Sequence, residues 1–232
     1  VLNLVKIFEK KSIIKNISFR VNENSITGVL GKNGAGKTTL LGMLMGLITP
    51  SSGNIEIFGK NLSLKKNEIL EDINFQSPYV DLPKKMTVEQ NLFFYSRLYG
   101  IKKFKDIIYD LVERLKMTDL MKKNYGSLSA GQKTKVNLCK AMINNPKLLL
   151  LDEPTASLDP ETSMFIREFL LDYQKKKKST ILITSHNLEE IQSICSKIIL
   201  LKTGKIASNG NLNDLLKTNN YSSLKDFFLG QG

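Results

Sequence analysis

The sequence predicts an α/β domain with a mostly parallel sheet, interrupted by a block of helices. Three observations carry this reading. Short β-branched or apolar runs alternate with helical patterns in the first and last thirds of the chain. A glycine-rich stretch, GKNGAGKT at 31–38, joins one such run to one such helical pattern. From about 78 to 145 no convincing strand signal occurs.

Taken in order, SITGVL reads as a strand and TTLLGMLMGL as the helix after it. INFQ at 73–76 is strand-like. Thr87, Val88, Glu89 and Gln90 form a capping-box start for TVEQNLFFYSRLYG, which Gly100 ends. Helical spacing suits a core place for most of its aromatics, Phe93, Phe94, Tyr95 and Tyr99, with some free to face a partner. FKDIIYDLVERLKM is a second helix. GSLSAGQKTKV at 126–136 leads into VNLCKAMI, a helix-like run, and carries no His, acid or paired cysteine of its own. Then KLLLLDE, TILITS and KIILL read as strands, separated by the helical ETSMFIREFLLDYQ and NLEEIQSIC. The expected organisation is one domain over 1–232. Its core covers about 1–76 and 146–218, its helical subdomain about 77–145, and a short C-terminal helix about 221–229.

With 41% hydrophobic and 24% charged residues, the 232-residue chain can bury an ordinary globular core. Its longest apolar runs are strand-sized, far below the ~20 residues of a membrane span. The N-terminal VLNLVKIFEKK lacks the apolar region and cleavage site of a signal peptide, so a cytoplasmic location is expected. Cys139 and Cys195 lack metal-ligand spacing and read as free thiols in a reducing compartment. The net charge of +12 raises nucleic acid or an anionic membrane as partners. The lysines, however, fall in scattered pairs. Their single run, 175–178, ends a predicted helix, where cations suit the dipole. A nucleic-acid footprint should cluster, so no nucleic-acid partner is expected.

GKNGAGKT matches G-x-x-x-x-G-K-[ST] in the context that pattern requires, after a strand and opening a helix. Gly31, Gly34 and Gly36 let the backbone turn tightly and approach oxygen atoms closely. The freed N–H groups and the helix N-terminus attract phosphate. Asn33, Ala35 and Thr39 belong to the same nucleotide-contacting segment. Lys37 supplies a cation for the β and γ phosphates, and Thr38 a hydroxyl for Mg²⁺. LLLLDEP at 148–154 is a buried strand ending in two acids. Asp152 would emerge at the carboxyl edge of the sheet, where α/β proteins bind ligands, and hold Mg²⁺ through its water shell. Glu153 could polarise an attacking water. His186, the single histidine, follows TILITS at the same edge, within reach of a γ-phosphate.

These pieces in this order resemble the nucleotide-binding subunit of ATP-binding cassette (ABC) transporters, from about Leu4 to Leu216. LSAGQ at 128–132 resembles the family signature, which separates this family from other P-loop ATPases. The resemblance implies a P-loop NTPase (RecA-like) core with an antiparallel β subdomain and an inserted α-helical subdomain. It also implies an ATPase with ATP and Mg²⁺ at two sites between two copies facing head to tail. Ser129, Gly131 and Gln132 of the signature would meet the γ-phosphate held by the second copy, on a helix N-terminus. Gln76 matches the glutamine that senses Mg²⁺ and the attacking water. Asp159 in SLDP matches the aspartate that crosses the dimer interface. Phe8 falls where an aromatic stacks on adenine, Glu153 where the general base lies, and His186 where the switch histidine lies. Ala130 replaces the commoner glycine of the signature, and KTK follows it where Arg is common. Lys37, Asp152, Glu153 and His186 are all present, which implies a hydrolytically competent site.

The resemblance further implies a membrane-associated role, peripheral on the inner face of the cell membrane, with an integral membrane transporter subunit as partner. MTVEQNLFFYSRLYGI, the SHNLEEIQSICSKIILLKTGKIASNG segment and the short C-terminus look like the drug-, lipid- and polysaccharide-exporter branch. The alternative is a soluble member of the superfamily acting on nucleic acid or ribosomes. Those usually carry two cassettes or a coiled-coil or zinc insertion, and this chain has neither.

Overall fold

The computed structural model describes residues 1–156, 158–218 and 224–230. Ser157 of SLDP and residues 221–223 of the expected C-terminal helix lie outside them.

The chain opens with β1 (Leu2–Phe8) and β2 (Lys11–Ile17), paired antiparallel. β3 (Ile26–Leu30) follows, with all five residues buried, and leads through the glycine loop into α1 (Lys37–Leu44). The helix stops short of the sequence expectation because Gly46 turns the chain at φ 63°, and the amides of Leu47 and Ile48 both fold back onto the Gly42 carbonyl. β4 (Ser52–Asn54) pairs antiparallel with β1, and β5 (Glu56–Ile57) with β6 (Lys60–Asn61). α2 (Lys66–Leu70) then leads to β7 (Ile73–Gln76).

Between β7 and the next strand lie α3 (Val88–Leu98), α4 (Phe104–Arg114), two 3₁₀ turns and α5 (Ala130–Met142). Thr87 opens α3 with a capping box: its hydroxyl accepts from the Gln90 amide, and the Gln90 side chain accepts from the Thr87 amide. The α3 aromatics divide: Phe93 and Tyr95 pack against the core from its margin, while Phe94 faces outward. The buried positions are Val88, Asn91, Leu92 and Ser96. Phe93, Tyr95 and Tyr99 are therefore half-buried and Phe94 is exposed, because the core-facing stripe runs beside them. Tyr95 and Tyr99 instead flank the ammonium of Lys140 on α5, at 5.4 and 5.9 Å.

The chain ends with β8 (Leu148–Asp152), α6 (Pro160–Lys177), β9 (Thr180–Ser185), α7 (Leu188–Ile194), β10 (Lys197–Lys202), β11 (Lys205–Asn211), α8 (Leu212–Thr218) and α9 (Leu224–Gly230). Six strands form the main sheet in the order β11-β10-β3-β9-β8-β7, parallel except for β11. β8 and β9 are buried throughout, as expected for strands covered on both faces. Alternate residues feed two cores. Leu149, Leu151, Ile181 and Ile183 pack with α3, α5 and α6, while Leu150, Leu182 and Val29 pack with α1 and β1. The carboxyl ends of β3, β7, β8 and β9 thus open onto one edge, the usual ligand edge of such sheets. Among the described residues no helix is long and apolar enough to cross a membrane.

Gly204, in the β10–β11 turn, fixes the back of the glycine loop. Its amide donates to Ala35 O at 3.2 Å, and its carbonyl accepts from Lys15 N at 2.8 Å. It has φ +80°, and a Cβ there would lie 2.2 Å from Ile13 O. Gly204→Ala should destabilise the fold by about 1–3 kcal/mol or more through backbone strain. Urea unfolding monitored by circular dichroism measures this; an unchanged midpoint would deny the turn its role.

Candidate nucleotide site

The glycine loop is shaped by contacts that only glycine allows. A Cβ on Gly31 would lie 2.5 Å from Leu201 O, and Gly36, at φ +106°, caps α1 with no room for one against Ile14. Lys37, the first residue of α1, is almost fully buried. Its ammonium donates to Gly31 O at 2.7 Å and pairs with Glu153 Oε1 at 3.3 Å. Thr38 donates its hydroxyl proton to Asp152 Oδ2 at 3.1 Å. Asp152 is 1% exposed, and its other oxygen accepts from Thr184 Oγ1 at 2.5 Å.

Glu153 begins the turn after β8 in the left-handed region, at φ 50°, an uncommon conformation for a residue with a side chain. Its amide donates to Thr184 O at 3.0 Å. While Oε1 faces Lys37, Oε2 meets His186 Nδ1. His186 follows β9 and is largely exposed. Lys37, Glu153 and His186 therefore form a continuous polar line from the glycine loop to the end of β9.

A cavity of about 510 Å³ opens here, within the size range of small-molecule sites. Residues 33–39, Phe8, Lys11, Ile13, Tyr79 and Glu153 line it. Phe8 stands at the end of β1, 44% exposed, with Lys6 Nζ 4.6 Å from its ring centroid. A second cavity, about 460 Å³, lies at the amino ends of β8 and β9 and carries none of the motif residues.

Gln76 ends β7 level with Leu151 of β8, one residue before Asp152. It is 3% exposed, and both polar atoms of its amide are buried without a partner. Such atoms typically cost ~1–3 kcal/mol each, so their retention points to a ligand. The Thr38 hydroxyl, the Asp152 carboxylate and the Gln76 amide oxygen are hard oxygen donors on neighbouring elements. They suit Mg²⁺, which takes one or two carboxylates and fills its remaining positions with water and phosphate.

The signature residues lie elsewhere. Ser129 caps α5 and forms a reciprocal capping box with Gln132. A Cβ on Gly131 would lie 3.3 Å from Thr162 Cγ2, so the start of α5 packs on the start of α6. There Asp159 is the cap, accepting from the Thr162 amide at 2.8 Å, a bond that holds its carboxyl below the usual range. Ser129, Gly131, Gln132 and Asp159 are thus neighbours, and none lines the cavity of residues 33–39. Lys11, Ile13, Tyr79 and Thr184 are site neighbours that no motif marks. Thr184 alone left a trace, as a hydroxyl near the end of an apolar strand.

A family model described as ABC transporter matches residues 14–156, from β2 through the signature helix to the Glu153 turn. The chain belongs to that family. It is an ABC transporter ATP-binding subunit, of a family that hydrolyses ATP, and is an ATPase. The ABC transporter ATP-binding protein NatA of Bacillus subtilis (strain 168) is 34% identical over 229 residues, covering 96% of this chain and 93% of that protein. Nod factor export ATP-binding protein I of Rhizobium sp. (strain N33) is 32% identical over 214 residues, covering 91% of this chain and 70% of that protein. The solved structure described as the ATP binding subunit of an ABC transporter superposes with a TM-score of 0.90 over 99% of this chain and 97% of that chain. At 23% identity that likeness is one of fold, and it establishes the P-loop NTPase architecture.

In this ABC subunit Lys37 lines the cavity at the glycine loop and starts α1. Lys37→Ala should weaken ATP binding by about 10- to 100-fold, the equivalent of one charge-assisted hydrogen bond. Equilibrium titration with a fluorescent ATP analogue measures this, and parent-like affinity would remove Lys37 from phosphate binding.

Proposed function

We propose that the chain powers a membrane exporter by ATP-driven closure of two copies, head to tail, on the cytoplasmic face of the membrane. The supporting observation is the separation of the two halves of the site. Ser129, Gly131, Gln132 and Asp159 cluster at the starts of α5 and α6, outside the cavity that residues 33–39 line. A second copy would bring its signature to that cavity, with helix N-terminal amides facing phosphate.

Within each site, Phe8 stacks on adenine. Residues 31, 33–36 and 39 contact the phosphates through the loop. Lys37 neutralises the β and γ phosphates, which compete with Glu153 for its ammonium. Thr38, Asp152 and Gln76 would hold Mg²⁺, which would supply charge neutralisation for the phosphates. Glu153 is the general base for the attacking water, and His186, on its far oxygen, reaches toward the γ-phosphate. Catalysis is then mainly positioning and charge neutralisation.

The membrane subunit docks where loop 77–86 meets α3. Tyr79 is 83% exposed and Val80 50%, with Phe94 and Leu98 also exposed on α3. Export is favoured by relatives such as the Nod factor export protein.

Glu153→Gln should still bind ATP, hydrolyse it about 100-fold or more slowly, as loss of a general base predicts, and elute as a dimer only with ATP. Parent-like hydrolysis would remove Glu153 from the base role. Tagged Glu153→Gln protein should also recover a polytopic membrane protein, near one to one, from detergent-solubilised native membranes with ATP. Recovery of RNA or ribosomes instead would overturn the transport reading.

A further inference from the structure

Glu190 is 1% exposed, and the nucleotide chemistry above makes no use of it. It lies on α7, four residues after His186. Its Oε1 accepts a hydrogen bond from Thr155 Oγ1 at 2.7 Å, in an environment where both residues are buried. Burial pushes its carboxyl up, while the Ser185 and Thr155 hydroxyls and the charge of Arg167 pull it down. A carboxyl taken this far from water is costly and needs such partners.

The partners join two segments distant in sequence. Thr155 stands two residues after Glu153, and Ser185 directly before His186. Asn187 fixes the start of α7 beside His186: its amide donates to Ser185 Oγ at 2.9 Å, and its side chain accepts from the Glu189 and Glu190 amides. On the other side, the left-handed Glu153 persists because its turn is fixed at several points. Its amide is held by Thr184 O, its carbonyl accepts from Ala156 N at 3.1 Å, and the Thr155 side chain ends on Glu190.

We infer that Glu190 is a positioning residue for ATP hydrolysis: its buried carboxyl locks the Glu153 turn to the His186 segment and so keeps the two side chains in register. The inference rests on Glu153 being the general base. Positioning errors of about 1 Å can cost about 100-fold in rate.

The test is steady-state hydrolysis and ATP affinity of the purified chain, with Glu153→Gln alongside. Glu190→Ala should lower kcat by about 10- to 100-fold, with KM and ATP affinity within about twofold of the parent. Glu190→Gln, which still accepts from Thr155, should recover most of the rate. Thr155→Val removes the same bond while filling the space, and it carries the test alone if Glu190→Ala fails to fold. The double variant Glu190→Ala/Thr155→Val should be no slower than the worse single variant.

Four results would overturn the inference: parent-like kcat in Glu190→Ala or Thr155→Val while Glu153→Gln is inactive; an equal loss of rate and affinity; Gln as slow as Ala; or losses that multiply in the double variant. If Glu153→Gln itself hydrolyses ATP like the parent, the general-base reading falls first and this inference falls with it.

Discussion

The carboxylate of Asp152, held between Thr38 and Thr184, is the point on which the ligand edge is organised. It is 1% exposed, and a buried charge of this kind demands partners on every accessible side. Its two oxygens take hydroxyl donors from α1 and from β9. The glycine loop, the Glu153 turn and the strand leading to His186 are thereby drawn to one place. The parallel sheet makes this possible, because β8 lies between β7 and β9 and its carboxyl end is level with theirs. An antiparallel neighbour would have sent one of these loops to the opposite edge.

The two cores divide the labour around that edge. One face of the sheet rests on α1 and the small antiparallel strands, which hold the glycine loop and Phe8. The other rests on α3, α5 and α6, which carry the signature and the exposed residues near loop 77–86. Gln76 sits where the two meet, at the end of β7 and the beginning of that loop. Its unpartnered amide leaves part of the binding free energy to be recovered when a ligand supplies partners.

The sequence showed most clearly what is buried on both faces or tightly constrained. LLLLD and TILITS read as strands because every position is buried, leaving no polar alternation to confuse them. The glycine loop was legible because its shape forbids side chains at Gly31 and Gly36. Thr87 and Gln90 announced α3 through a reciprocal hydrogen-bond pair. By contrast, β4 buries none of its three residues and β1 pairs with register shifts, so neither leaves a period-two pattern. The α3 aromatics reach the core only from its margin, because Val88, Leu92 and the smaller Asn91 and Ser96 occupy the inward stripe. At the candidate site, the motif residues were legible from their spacing. Thr184, Tyr79 and Lys11 were not, since their places arise from strand pairing and loop approach rather than from neighbours in sequence. The signature was a special case: its meaning came from resemblance, because nothing in GSLSAGQ lines the cavity of residues 33–39.

The capping box of Ser129 has an electrostatic consequence for what can approach α5. One lone pair of the serine hydroxyl is committed to the Gln132 amide, and the Ser129 amide is committed to the Gln132 side chain. What remains is the hydroxyl hydrogen, one lone pair of its oxygen and the first N–H groups of the helix, which have no carbonyl partners within it. The tip of α5 therefore offers more hydrogen-bond donors than acceptors. The positive end of the helix dipole there favours negative charge over ammonium or guanidinium groups, a bias set by the local fold itself.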